Sequence, residues 1–302
     1  MPFMSAARRR RDSLGALLTI AAMFGFASMD AMSKFLVRDY SITQTLWVRY
    51  VIFTVFALLV ARPRGIRTVV HSRRPWLQAA RSLLSLVENG VFVLAFAYLP
   101  LAETHAVAAT SPLLVIALSV LMLRERAGLR RWLAVAAGFT GVLLIIRPGF
   151  QSLDWPLLIP LCGAALWALY QVLVRLLSRD DSPETTLFWS AAIGLAAVSL
   201  VAPFQWQPPD TEAWIMLAAV GILGSLAHYA LIKALDYAEA SAVQPYSYTL
   251  LVWATVLGYL VFGDVPAPWT IIGATIIVSS GLYTWRHDVR AARAAAIPEP
   301  KP

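Results

Sequence analysis

The sequence predicts an all-α polytopic membrane protein with ten transmembrane helices, arranged as two inverted-topology five-helix repeats. Three observations predict this class. Ten apolar stretches of about the length that spans a bilayer follow one another along 302 residues. Lys and Arg collect on alternate connections between those stretches. Two segments of the first half recur, in the same order, in the second.

The composition already excludes most other classes. Hydrophobic residues make up 59 % of the chain, charged residues 14 %, and mean hydropathy is +0.67. A soluble domain is about half apolar and about a quarter charged. A water-soluble domain, a disordered chain and a nucleic-acid partner are therefore excluded, despite a net charge of +8. The basic residues lie in short clusters between apolar runs, which is a membrane pattern. A single cysteine, Cys162, rules out an internal disulfide framework and a Cys-rich metal site, and it is expected to pack within its apolar run.

The spans are expected at 14–36, 43–61, 76–98, 104–122, 131–147, 155–177, 184–202, 212–234, 241–262 and 267–286. Residues 1–13 form a basic tail and 287–302 a second tail. Spans 1–5 make repeat 1 over 14–147, and spans 6–10 make repeat 2 over 155–286. The run after Arg8–Arg11 is about twenty residues long without a small-residue cleavage site, so it reads as a first span and not a signal peptide. The backbone must satisfy its own polar groups in lipid, which a helical bundle does, and strand-type alternation is absent. Twenty Lys and Arg fall on one side against two on the other. Both termini are then cytoplasmic, in a bacterial-type inner membrane. Trp76, Trp206, Trp214, Trp269 and Trp285 fall near span ends, as an interfacial belt does.

The repeat shows in two alignments. Phe24–Trp47 aligns with Ala165–Phe188 at a shift of 141, with seven of 24 positions identical, including Arg38/Arg179, Asp39/Asp180 and Ser41/Ser182. AETHAVAATSPLLVIALSVL, starting at Ala102, aligns with AEASAVQPYSYTLLVWATVL, starting at Ala238, with eight of 20 identical. Each of the latter copies is followed by an acid and a Trp, Glu125/Trp132 and Asp264/Trp269. Five spans is an odd number, so the second copy enters the membrane from the opposite side. Two such halves can exchange conformations and open a shared site to either face in turn.

On those segments the chain resembles the drug/metabolite transporter superfamily, in its ten-span EamA-type branch. The likeness runs from about residue 14 to 286 and is carried best by AETHAVAATSPLLVIALSVLMLRERAGLRRWLAVAAGFTGVLLI and AEASAVQPYSYTLLVWATVLGYLVFGDVPAPWTIIGATIIVSSGLY. Within the branch it looks most like the YddG-type amino-acid exporters. The resemblance implies a central cavity lined by spans 1, 3, 4, 6, 8 and 9. It implies export of amino acids, aromatic and other neutral ones included, or of related metabolites, by alternating access. The alternative is a carrier of the same fold for another solute, such as a drug, a nucleoside derivative or a vitamin. The partners are then a small-molecule substrate and the lipid bilayer. A monomer is one assembly compatible with this, and the oligomeric state stays open.

Ionisable residues within spans are costly, so each is a candidate for function. Asp30 and Lys34, four apart on span 1, share a helix face and either neutralise each other or meet a zwitterion; Gln171 is the repeat partner of Asp30. Glu88 and Asn89 sit near the middle of span 3, where a carboxylate needs a partner or water, and Phe92 extends their stripe. His228 and Tyr229 lie on span 8, with Lys233 close enough to the span end to snorkel, as Arg49 and Arg81 also are. Trp167, Tyr170 and Gln171 form a stripe on span 6, and Gln244, Tyr246 and Tyr248 open span 9. Single rings in such stripes more often pack as core, but buried hydroxyls and amides need partners, so several together suit a cavity with apolar walls. Pro112 and Pro245 interrupt spans 4 and 9 and read either as kinks or as hinges with freed carbonyls. Gly138, Gly141, Gly221 and Gly224 mark close helix contacts. No H-E-x-x-H, G-x-S-x-G or P-loop motif is present, so neither an enzyme nor a metal or cofactor site is expected.

Overall fold

In a computed structural model, helix occupies part of every one of the ten apolar stretches. The structure describes residues 6–123, 128–146, 155–177, 180–237 and 244–295. The helices are α1 (Ala6–Leu36), α2 (Ile42–Ala61), a short α3 (Ile66–Val70), α4 (Pro75–Tyr98), α5 (Leu101–Ala108), α6 (Ser111–Leu123), α7 (Leu129–Ile146), α8 (Leu158–Leu177), α9 (Pro183–Ser199) and α10 (Thr211–Tyr237). They continue as α11 (Thr249–Phe262), entered through a 3-10 turn over Gln244–Tyr248, and α12 (Pro268–Ala295). Among the described residues six helical stretches are long and apolar enough to cross a membrane: Ser13–Leu36, Ile42–Ala61, Pro75–Tyr98, Leu101–Met122, Trp155–Val174 and Thr211–Leu231. Trp132–Ile146 and Tyr246–Phe262 are shorter apolar helices.

Local chemistry sets the helix ends. Ser41 caps α2 by accepting from the Gln44 amide at 3.2 Å, and Ser182 caps α9 by accepting from the Thr185 amide at 3.2 Å. These two serines are 141 positions apart, as the first alignment requires. Helix α11 ends on Gly263 at φ 71, a left-handed conformation that costs glycine nothing, and the Asp264 amide returns to the Gly258 carbonyl at 3.1 Å. That cap holds Asp264 against the end of the helix.

Span 4 is not one helix. It breaks at Ala109 and Thr110, just before Pro112, because proline removes one amide donor and crowds the turn before it. The hydroxyls of Thr110 and Ser111 donate to the carbonyls of Val107 and Ala108 at 2.7 and 2.6 Å, so these carbonyls are not left bare. Span 9 begins with its 3-10 turn at the aligned place, where the side chain of Pro245 lies outside the described residues.

The packing follows a paired pattern. Helix α1 lies on α10, as α4 lies on α8; α1 touches α11, as α8 touches α6; α2 touches α10, as α9 touches α4. The pairs α2/α9 and α7/α12 complete the set. Small residues permit the closest crossing. A Cβ on Gly141 would stand 2.7 Å from the Gly273 carbonyl oxygen, and one on Gly273 would stand 2.5 Å from that of Gly141, so α7 and α12 meet backbone to backbone. Around this crossing Ala106, Val107, Val142, Ile145, Ala274 and Ile277 form one buried cluster. A second cluster joins Met29, Leu36, Val48, Leu217 and Val220 of α1, α2 and α10. The expected packing of Cys162 does not hold: it is exposed on α8.

Candidate functional site

Charged side chains inside the bundle gather where α1, α2, α4, α5 and α10 face one another. Asp30 and Lys34 do not pair with each other, although both lie on α1. Asp30 Oδ2 stands 3.2 Å from Nε2 of His105 on α5, and Lys34 Nζ donates to Asp264 Oδ2 at 2.7 Å. One turn of helix puts the two α1 residues on the same side, but neighbouring elements carry closer counter-charges. Lys34 also sits 4.7 Å from the centre of the Phe262 ring, a cation–π contact that covers the pair on one side.

Glu88 is buried on α4, and the charges that reach it electrostatically are Arg49 of α2 and Asp30 of α1. Arg49 also reaches His228 of α10, and its Nε would lie 3.6 Å from a Cβ placed on Gly224. It therefore points between helices. His228 shares its Nδ1 with the Gly224 carbonyl at 3.2 Å, and its ring stands between Phe26 and Phe53, with centroids 4.9 and 5.8 Å away. The site thus sets a carboxylate, a guanidinium and an imidazole among aromatic edges.

Arg81 departs most from the sequence reading. It does not snorkel; it is fully buried. Its Nε donates to Gln78 Oε1 at 3.1 Å, and Nη2 donates to the Thr186 carbonyl at 3.0 Å and to Ser190 Oγ at 2.9 Å. Tyr170 covers it, with the ring centre 5.3 Å from the guanidinium carbon. The Gln78 amide donates onward to Asp181 Oδ2 at 2.9 Å, beyond the start of α9. Asp181 also accepts from the Ser72 hydroxyl and from the Arg73 amide, and Arg74 pairs with Asp180 at 2.9 Å. Burial alone would push the Asp181 carboxyl up, but these donors hold it below the usual aspartate range.

The remaining candidates fall into two groups. Phe92 lies against Gly163 of α8 and Tyr170 covers Arg81, so these two rings join the interface between α4 and α8, and Trp167 stacks on Tyr170 with centroids 5.1 Å apart. The others stand apart from it. Asn89 donates to the carbonyl of Ser85 on its own helix at 2.7 Å. Gln171 is exposed. Tyr229 turns to Phe56, with Lys233 over its ring, and Tyr246 is also exposed. The Tyr248 hydroxyl lies against Gly281 of α12. The side chain of Gln244 lies outside the described residues. Sequence reasoning passed over His105, although an intramembrane histidine is itself a signal. It noticed Asp264 only as a repeat marker.

Comparison with known proteins follows the same architecture. A model of the EamA-like transporter family matches residues 13–147 and again 154–285. A riboflavin transporter of Vibrio cholerae is 31 % identical over 92 % of this chain and 95 % of its own. An S-adenosylmethionine uptake transporter of Rickettsia felis is 26 % identical over 93 % of this chain and 97 % of its own. The pseudopaline exporter CntI of Pseudomonas aeruginosa is 28 % identical over 87 % and 93 %. A crystal structure with 20 % identity covers 92 % of this chain and 99 % of its own at a TM-score of 0.57, which speaks for the fold alone. The chain is a membrane transporter and belongs to the EamA-like transporter family.

Proposed function

We propose that this transporter carries a flavin-like vitamin, or a fused-ring nucleoside-type solute of similar size, by alternating access of two inverted five-helix halves. One observation carries the choice of solute. Riboflavin transporters of Vibrio cholerae and Rhizobium johnstonii are 31 % and 30 % identical to it along 95 % of their own lengths. The chemistry of the site supports the same reading. Trp167, Phe92, Phe26 and Phe53 bring aromatic rings to these helices, while Glu88, Arg49 and His228 offer hydrogen-bonding groups to a polyhydroxyl chain. Amino-acid export, the leading expectation from sequence, finds no counterpart in the names of the relatives described above; the vitamin alternative fits them better.

Two observations support the inverted repeat. The family model matches each half separately. The helix contacts also come in exchanged pairs, such as α1/α10 with α8/α4, as a half-turn relating spans 1–5 to 6–10 requires. The Lys and Arg asymmetry supports cytoplasmic termini in an inner membrane.

The deciding experiment is counterflow in proteoliposomes with labelled riboflavin, S-adenosylmethionine, and a panel of aromatic and neutral amino acids. Saturable riboflavin exchange is the expected result. Exchange of amino acids with no competition by riboflavin would restore the other reading.

A further inference from the structure

A partly buried acid and a buried base face each other beside the site, and solute binding does not account for them. Asp30 Oδ2 and His105 Nε2 are 3.2 Å apart, with side-chain exposures of 13 % and 6 %. Unlike Lys34 and Asp264, which close to 2.7 Å, they are not aligned for a hydrogen bond, and Nε2 of His105 has no hydrogen-bond partner. An unaligned ion pair is a poor structural clamp, since its attraction does not offset the loss of water at both groups.

Histidine is the side chain whose ordinary titration falls between about pH 5 and pH 8. Holding one proton, the pair is neutral as imidazolium and carboxylate. Without it, a single negative charge stays in an apolar bundle, which is costly. The surroundings set that balance. Helix α4 adds Glu88, which lies within electrostatic reach of Asp30. Helix α2 adds Arg49, which faces Glu88 and His228 of α10. On α1 itself Lys34 is engaged by Asp264. Helix α8 contributes Tyr170, turned to Arg81, and Phe96 of α4 covers the His105 ring with centroids 5.8 Å apart. The 3-10 turn before α11, α11 itself, and residues 132–146 and 268–285 of α7 and α12 carry no charged residue.

The location matters as much as the charge. Asp30 belongs to the unbroken α1, whereas His105 sits on the short α5, one turn before the break at Ala109. The attraction between the two therefore acts on the shorter arm of span 4, beside its break. A change in proton number alters the force between α1 and α5 at a place where the backbone can bend.

We infer that Asp30 and His105 form a proton-binding site that couples proton movement to solute transport. His105 Nε2 takes one proton from water on one side of the membrane and holds it against the Asp30 carboxylate. After reorientation it returns that proton to water on the other side, leaving neutral imidazole and ionised carboxylate. The inference rests on the transport reading and not on the choice of solute.

The test uses full-length protein in proteoliposomes with a trapped pH dye: wild type, Asp30→Asn, His105→Gln, and Glu88→Gln for comparison. Riboflavin and S-adenosylmethionine are the probes. Solute addition should move protons in wild type, and both pair variants should lose that flux; counterflow at equal pH, read in each variant beside it, separates loss of proton coupling from loss of solute transport. Infrared difference spectra across a pH series give a solute-free readout of proton uptake by the pair. A band present in wild type should vanish in Asp30→Asn and His105→Gln. If wild type moves neither probe, the solute reading fails while the infrared arm still decides the proton site. Retained proton flux in both pair variants overturns the inference, as does a wild type that moves solute without protons. So does flux lost in Glu88→Gln alone, and so does loss of counterflow in every pair variant that inserts normally, which would assign the pair to structure.

Discussion

Lys34 and Asp264 meet at 2.7 Å although 230 residues separate them, and their pair ties the end of α1 to the turn between α11 and α12. Side-chain exposures of 12 % and 23 % place it at the border of the bundle, where an ion pair is only partly screened. Removing one partner leaves the other charge poorly solvated, at a cost of roughly 2–5 kcal/mol. Lys34→Gln and Asp264→Asn should each lower the melting temperature in detergent and reduce transport. The exchanged double variant, Lys34→Asp with Asp264→Lys, should recover part of both. A double variant no better than the singles would show that the two residues act separately.

How far the sequence led depended on the range of the interaction concerned. Apolar length placed helix in each of the ten stretches, because it is a local property, but it did not show the short helix α3 or the break that divides span 4 into α5 and α6. Counter-charges were another matter. Asp30 and Lys34 share a face by helix geometry, yet each found a partner on another element, His105 and Asp264. Which helix lies opposite is decided by packing across the fold and is invisible in a four-residue spacing. Arg81 lies near a span end and so looked able to reach water. It is instead held by acceptors on α9, the Thr186 carbonyl and Ser190, more than a hundred residues away. On the span 6 stripe Trp167 and Tyr170 stack, while Gln171 is exposed.

The burial of Arg81 has an energetic consequence. A guanidinium held by Gln78, Ser82, Thr186 and Ser190 takes four hydrogen bonds with it when it is removed. Arg81→Ala should destabilise the protein by about 3 kcal/mol or more, the scale for breaking a buried charged network. Arg81→Lys should recover little, because one ammonium cannot reproduce the planar fork. A thermal melt of Arg81→Ala equal to wild type would rule out the network as a support of the fold.

The crossing of α7 and α12 allows a cleaner test of packing. A methyl group at Gly141 or Gly273 enters space held by the opposite backbone, which cannot swing away as a side chain can. Gly273→Ala should cost about 1–3 kcal/mol by overpacking and should lower stability more than transport by the folded fraction. Equal stability with impaired transport would mean that the crossing moves during the cycle.

Asp181 carries the pH argument. Its folded titration point lies below the ordinary one, so the charge contributes stability above the ordinary aspartate value. That contribution is lost only as pH falls through the lower, folded value. Protection of residues 66–78 in hydrogen exchange should therefore persist from neutral pH through the usual aspartate range. Asp181→Asn should remove it at neutral pH, since Ser72, Gln78 and the Arg73 amide lose an anionic acceptor. Unchanged exchange in that variant would show that the contact between the α3–α4 turn and the α8–α9 turn does not depend on the charge.

Trp167 tests the aromatic surface and, through it, the solute. Its ring stacks on Tyr170 with centroids 5.1 Å apart, and Tyr170 in turn covers Arg81; under the proposed function the far face of Trp167 takes a ligand ring. A stacked aromatic contact contributes roughly 0.5–1.5 kcal/mol beyond its area, or about two- to twelvefold in affinity. Trp167→Ala should raise the riboflavin concentration for half-maximal counterflow by that factor. Gln171→Ala, exposed on the same helix, should leave it unchanged. If the two variants behave alike, the stack is packing between α4 and α8, and the solute lies against other rings, with Phe26 and Phe53 around His228 the next to replace.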